Sequence, residues 1–220
     1  MKDSRRIDLT RADSREVLMG MKDEMADAII TDPPYGIGYS GRRYAPIAND
    51  ERPYIWWLAD AFRVTKMGGG LLCFCRWDVQ EAFRWAIELA GYNVRSQVVW
   101  DREAHGAGDT KKTFAPQHDV IWFATKGNFS FPGPRPTSVV RSMKVAWQRL
   151  VHPNQKPLAL MEHPVTSVTP EGGTVVDPFM GSGSTGVAAL RTGRRFVGIE
   201  IDPKNFRVAE KRLNEAIRTR

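Results

Sequence analysis

Two short stretches of this chain carry residues whose order suits chemistry. The first is Asp32-Pro33-Pro34-Tyr35, directly behind the apolar run Ala28-Ile29-Ile30-Thr31. A carboxylate and a neighbouring proline carbonyl can each accept one N–H bond from a single amine. An amine whose lone pair is delocalised into an aromatic ring is a poor nucleophile. Two such acceptors favour its pyramidal form, in which the lone pair points outward. Proline rigidity fixes Asp32 and the Pro33 carbonyl in advance, which lowers the ordering cost of that geometry. Tyr35 offers a flat face on which a base drawn from a stack can lie. The tetrapeptide alone also reads as a rigid turn with a surface tyrosine. Its place behind a buried strand favours the chemical reading, because open α/β sheets bind ligands at the carboxyl ends of their strands.

The second stretch is Thr174-Val175-Val176-Asp177-Pro178-Phe179-Met180-Gly181-Ser182-Gly183-Ser184-Thr185-Gly186. It reads as strand, glycine turn and helix, with the spacing Gly181-x-Gly183-x-x-Gly186. An acid, Glu200, follows about 20 residues on, where it can accept hydrogen bonds from both ribose hydroxyls. A phosphate-cradling loop needs a lysine after the second glycine, and Ser184 stands there instead. A dinucleotide site matches the three glycines but calls for a second mononucleotide-binding half beyond Thr174. A nucleoside without pyrophosphate, such as S-adenosylmethionine, places Asp177 near the cofactor's amino acid end. A purely structural glycine turn is the remaining reading.

Both stretches need a sheet to hold them. Short apolar strands are expected at Ala28–Thr31, Leu71–Cys75, Val94–Trp100, Val120–Ala124, Thr174–Val176 and Phe196–Ile199. Helices are expected at Tyr54–Val64 (closed by Gly68-Gly69-Gly70), Val79–Ala90, Leu158–Val168, Ser184–Arg191 and Asn205–Arg218, with a kink or early stop at Pro164. This alternation predicts an α/β fold, a mostly parallel sheet with helices on both faces. Residues 125–155 interrupt it with Gly127, Pro132, Gly133, Pro134 and Pro136 and read as a loop or recognition segment. Cys73 and Cys75 share one face of a strand. Trp56, Trp57, Trp85 and Trp122 sit in periodic elements and read mostly as core.

The 220 residues, 42% hydrophobic and 26% charged, suit one globular domain with a real core. No run is long enough to span a membrane, no apolar leader follows Met1, and two cysteines make a reducing cytoplasm the default. The four histidines lack metal spacing, and no metal is assigned. Net charge is +7, with eight basic against four acidic residues over 101–150 and nine against four over 191–220. That balance leans towards a polyanion.

Taken with these residues, the chain resembles the β-group DNA amino-methyltransferases, which carry Asp-Pro-Pro-Tyr ahead of the cofactor motif. Asp32–Tyr35 resembles their catalytic motif and Asp177–Thr185 their cofactor loop. His152-Pro153-Asn154-Gln155-Lys156-Pro157 resembles the segment before the helix that closes the cofactor site, and Asp13 falls where the family has an acid near the cofactor's adenine. The resemblance implies a Rossmann-like fold with a seven-stranded sheet and one antiparallel strand, in a single domain over 1–220. It implies direct methyl transfer from S-adenosylmethionine to an exocyclic amine of a flipped base, with Asp32, Pro33, Pro34 and Tyr35 as the catalytic set. Cofactor contacts then fall to Asp13, Asp32, Pro33, Lys156, Pro157, Asp177, Phe179, Met180, Gly181, Ser182, Gly183, Ser184, Thr185 and Glu200. Phe179 would pack on the cofactor, Glu200 hold its ribose and Lys156 lie near its carboxylate. Asp32, where cytosine-N4 members more often have serine, favours adenine N6 over cytosine N4. A dinucleotide-dependent oxidoreductase and a non-enzymatic DNA-binding module are the readings from other classes.

The implied partner is double-stranded DNA, read from a recognition insertion at 101–151. Arg42, Arg43, Arg102, Lys111, Lys112, Arg135, Arg141 and Lys144 surround the pocket and are the expected DNA contacts. So short an insertion is compatible with help from a second subunit in a homodimer.

Overall fold

The computed structural model describes residues 6–38, 49–105, 111–146 and 155–218. In chain order these form β1 (Ile7–Thr10), α1 (Ser14–Gly20), β2 (Ala26–Thr31), α2 (Leu58–Val64), β3 (Thr65–Cys75), α3 (Gln80–Leu89), β4 (Asn93–Asp101), β5 (His118–Thr125) and β6 (Val139–Arg141). They continue with α4 (Leu158–Val168), β7 (Thr174–Asp177), α5 (Ser184–Arg191), β8 (Arg195–Ile199) and α6 (Pro203–Arg218). The strands join one sheet in the order β1-β8-β7-β2-β3-β5-β4-β6. Neighbours are parallel except at β5, which runs antiparallel to both β3 and β4.

The single antiparallel strand matches expectation, but the sheet has eight strands among the described residues rather than seven. The additional edge strand is β6. Val139 and Val140, β-branched residues inside the proline-rich stretch, pair with Val99 and Trp100 and cover the free edge of β4. The recognition insertion expected at 101–151 is not all loop. β5 lies inside those limits and is a core strand between β3 and β4, because Val120 to Ala124 bury an unbroken apolar run.

Alternate strand residues feed two cores, as the two-residue period requires. Ile30, Phe74, Ile121 and Phe123 cluster with Leu160 and Val165 of α4, Ala188 of α5 and Leu213 of α6. Ile29, Leu71, Cys73, Cys75, Val120 and Trp122 cluster with Leu18, Leu58, Phe83 and Ile87 of α1 to α3. The two cysteines share one face, and burial pushes the Cys75 thiol up to about 12, far from a reactive thiolate.

Three local readings change. Gly68-Gly69-Gly70 does not close a helix, because α2 stops at Val64 and the glycines lie within β3. The β2–β3 register slips there between Ala26 and Ala28, and a Cβ on Gly69 would come within 2.9 Å of the Asp27 carbonyl oxygen. Pro164 does not break α4. Leu160, Met161, Pro164, Val165 and Val168 form one buried stripe whose packing outweighs the lost hydrogen bond. Of the tryptophans, Trp57 and Trp122 are buried, while Trp56 and Trp85 are exposed.

Candidate active site

Asp32 emerges where β2 leaves the sheet, level with Phe74 of β3, since Thr31 and Cys73 are register partners. The turn that follows is pinned from several sides. The Pro34 carbonyl accepts from the Tyr54 N–H at 3.2 Å, and the buried Asp50 carboxylate accepts from the Gly36 N–H at 2.8 Å. Gly36 has φ 79°, and a Cβ there would collide with the Arg52–Pro53 backbone at 2.0 Å, so only glycine fits. Asp32 Oδ1 accepts from the Tyr35 hydroxyl and Oδ2 from Lys156 Nζ at 2.6 Å. The Lys156 ammonium also lies 5.0 Å from the ring centre of Phe74 and 5.7 Å from that of Trp100. Burial, and then the adjacent Asp32 charge, raise the Tyr35 hydroxyl well above its ordinary range, so it stays a neutral donor. The Tyr35 ring packs edge-on against Phe83 at 6.3 Å. Tyr35 is thus tethered to Asp32 through its hydroxyl, and Lys156 is paired with the same carboxylate.

On the other side of β2, the glycine turn joins β7 to α5. Gly181 and Gly183 take φ of 51° and 77°, the left-handed region that favours glycine, and Gly183 caps α5. Gly186 has no room for a side chain, because a Cβ would lie 2.6 Å from Leu213 and Phe196. Met180 is buried, and its N–H donates to the Ile199 carbonyl at 3.0 Å. Asp177 is spent on the frame. Its carboxylate accepts from Thr31 Oγ1 at 2.7 Å, Thr185 Oγ1 at 2.6 Å and the Phe179 N–H at 3.1 Å, tying β2, β7 and α5 together. Burial raises its pKa to about 6 against these three donors. Glu200 bridges the turn, accepting from the Gly181 N–H at 2.9 Å and the Asp202 N–H at 2.8 Å.

Asp13 caps α1, its carboxylate accepting from the Arg15 N–H at 2.8 Å, and burial first, then the Asp13 charge, raise the pKa of the Tyr54 hydroxyl. Phe179 lies edge-on to Tyr54 at 5.9 Å and to Trp57 at 5.4 Å. Asp13, Tyr54, Trp57 and Phe179 thus form an aromatic wall with an acid beside it, and Glu200 and Gly181 lie on the same side of β2. Sequence reasoning missed Tyr54 and Trp57, which the Pro34 turn and Phe179 draw in from the distant start of α2. It also missed Arg212. Arg212 Nη1 reaches from α6 to the Ser182 carbonyl, to Ser182 Oγ at 2.9 Å and to Ser184 Oγ at 3.3 Å. A cation between the buried positions Ala209 and Leu213 of an amphipathic helix was the available signal.

The expected DNA contacts divide. Arg42 and Arg43 lie outside the described residues. Arg102 is not a surface contact, being 7% exposed, with Nη1 paired to both Asp119 oxygens at 3.2 Å and Nη2 donating to the Pro116 carbonyl. Its position after β4, opposite the start of β5, turns it into a brace. Lys111, Lys112 and Arg135 are exposed. Arg141 is exposed and 3.7 Å from Asp101. Lys144 is exposed, with Arg102 and Lys156 near enough to act on its charge.

A family model described as DNA methylase, of the N6/N4 type, matches residues 26–211. The Escherichia coli (strain K12) protein YubD is 31% identical over 208 residues, covering 92% of this chain and 88% of that one. The DNA adenine methyltransferase YhdJ of the same strain is 26% identical over 231 residues, covering 88% and 78%. The crystal structure of the M1.HpyAVI–SAM complex superposes with a TM-score of 0.76 at 26% identity, covering 94% of this chain and 99% of that one.

Proposed function

The chain belongs to the N6/N4 DNA methylase family and is an S-adenosylmethionine-dependent DNA methyltransferase, and we propose that it methylates adenine N6 in a base turned out of duplex DNA. The observation that carries this reading is Asp32. It is a carboxylate held at a strand end by Tyr35 and Lys156, inside a turn that Asp50 and Tyr54 keep rigid. A relative named a DNA adenine methyltransferase supports the choice of base.

The residues across β2 fit a nucleoside that lacks phosphate. Glu200 and Asp13 are acceptors, Phe179 and Tyr54 present aromatic surface, and the glycine turn contains no lysine. When bound there, the cofactor supplies an electrophilic methyl group. Phe179 and Met180 would pack against it, Glu200 would hold its ribose, and the Gly181–Thr185 backbone would lie alongside. Lys156 Nζ, already near the joint between the two halves, carries the charge to hold its carboxylate.

On the catalytic side, an ionised carboxylate has about four lone-pair positions, and Tyr35 and Lys156 use two. Asp32 can therefore accept an N–H from the target amine while both supports stay in place. The Pro33 carbonyl accepts the second N–H, and the nitrogen lone pair then points across the strand end towards the cofactor side. Neutral Tyr35 and cationic Lys156 keep Asp32 oriented without competing as acceptors. Arg135, Arg141, Lys144, Lys111 and Lys112 are the exposed cations placed to meet phosphates, which would fix register rather than sequence.

The test is to incubate the protein with DNA and S-adenosylmethionine, digest the DNA to nucleosides and identify the product by mass spectrometry. N6-methyladenine nucleoside is the expected product. N4-methylcytosine as the dominant product overturns the base assignment.

A further inference from the structure

We propose that Trp77 is the side chain that enters or caps the base stack next to the extruded target, and so keeps the base out. The inference deepens the base-extrusion reading above and rests on it. Trp77 follows β3, the strand beside the one that delivers Asp32. Asp32 is level with Phe74 through the Thr31–Cys73 register, so Trp77 lies three residues further out. At the usual rise that is no more than about 10 Å. This puts Trp77 at the same carboxyl-terminal edge of the sheet as Asp32, the edge a duplex must face if one of its bases reaches Asp32.

The residue is presented rather than merely left over. The Val79 N–H donates to the Arg76 carbonyl at 3.3 Å, which makes Arg76–Val79 a tight turn with Trp77 as the first of its two central residues. Arg76 and Asp78, the residues on either side, pair with each other at 2.8 Å and brace it. The side chain at this tip is a tryptophan, 62% exposed. Stacking on bases is sequence-tolerant, and apolar wedges entering base steps are a general means of opening a duplex. The exposed Trp85 on α3 provides an internal comparison, since it lies on a helix flank rather than on the strand-end turn.

The test uses oligonucleotide duplexes carrying the sequence at which DNA from expressing cells is found methylated. In one duplex the target base is normally paired, and in the other it faces an abasic position and is already free to leave the stack. Trp77→Ala is expected to slow methyl transfer at least tenfold on the paired duplex and less than threefold on the abasic one. Trp77→Phe should stay within threefold of the unsubstituted protein on both, Trp85→Ala should leave both rates unchanged, and S-adenosylmethionine affinity should be the same in all. Equal losses on the two duplexes, or no loss on the paired one, overturn the role of Trp77. Absence of methylation by the unsubstituted protein on both overturns the function proposed above together with it.

Discussion

Replacing Arg212 with methionine should weaken cofactor binding without touching the reacting groups. Nη1 makes three contacts to the turn, with the Ser182 carbonyl, Ser182 Oγ and Ser184 Oγ, the latter two at 2.9 and 3.3 Å. Hydrogen bonds from a charged donor contribute about 1.5–3 kcal/mol. Against this stands the cost of burying the guanidinium, visible as a lowered Arg212 pKa, and the 3.3 Å contact is weak. A net of about 1–2 kcal/mol is the reasonable expectation for a part-buried group with one strong and two weaker contacts. If that energy selects the binding-competent shape of Gly181–Ser184, the dissociation constant for S-adenosylmethionine should rise about 5- to 30-fold. Transfer at saturating cofactor should stay within twofold, because Asp32, Tyr35 and Lys156 are untouched. Calorimetric titration measures the first quantity and initial rates at saturation the second. An affinity within twofold of the unsubstituted protein would refute the reasoning, and would mean that Gly183 and Gly186 packing against α6 alone shapes the turn.

Asp32→Ala should lower methyl transfer by at least about 10²-fold, the size of effect seen when one preorganised polar group is lost, while cofactor affinity stays within threefold; transfer within tenfold of wild type removes Asp32 from the mechanism. Glu200→Ala should cost about 1.5–3 kcal/mol of cofactor binding, read by calorimetry, and unchanged affinity would mean that the ribose is held elsewhere. Asp177 gives a pH signature. Its folded pKa of about 6 exceeds the ordinary 3.8, so its contribution to stability is complete below pH 3.8 and fades as pH rises through 6. At about 1.4 kcal/mol per unit the full effect is on the order of 3 kcal/mol. Urea unfolding of Asp177→Asn should therefore lack this decline, and parallel stability profiles for the two proteins between pH 4 and 7 would exclude it.

The parts of this molecule legible in its sequence are those whose signal is local. β2 reads as a strand because Ala28–Thr31 is an apolar run stopped by two prolines, and α5 begins at Ser184 because Gly183 alone can take the left-handed cap. Asp32 and the glycine turn were visible for the same reason, because their chemistry is written in contiguous residues, and Glu200 follows the turn at a set distance along the chain. What escaped depends on partners far along the chain. β6 is three residues that become a strand only because β4 offers a free edge. Pro164 sits in a helix because a buried stripe on α4 overrides local propensity.

Charge shows the same divide with functional consequences. Arg102 and Lys144 look alike in the sequence, two cations in the basic middle of the chain. In the fold, Asp119, near the start of the antiparallel strand opposite the end of β4, captures Arg102, whereas Lys144, after β6, stays exposed. A buried, paired arginine cannot release counterions from a phosphate backbone, and an exposed lysine can. The salt dependence of DNA binding should therefore fall by about one phosphate's worth of slope for Lys144→Gln. Arg102→Gln should instead lower stability, because it leaves the Asp119 carboxylate uncompensated beside the pocket. Measuring DNA affinity against salt concentration for both variants separates the two roles, and a reduced slope for Arg102→Gln with unchanged stability would contradict the assignment of Arg102 as a brace.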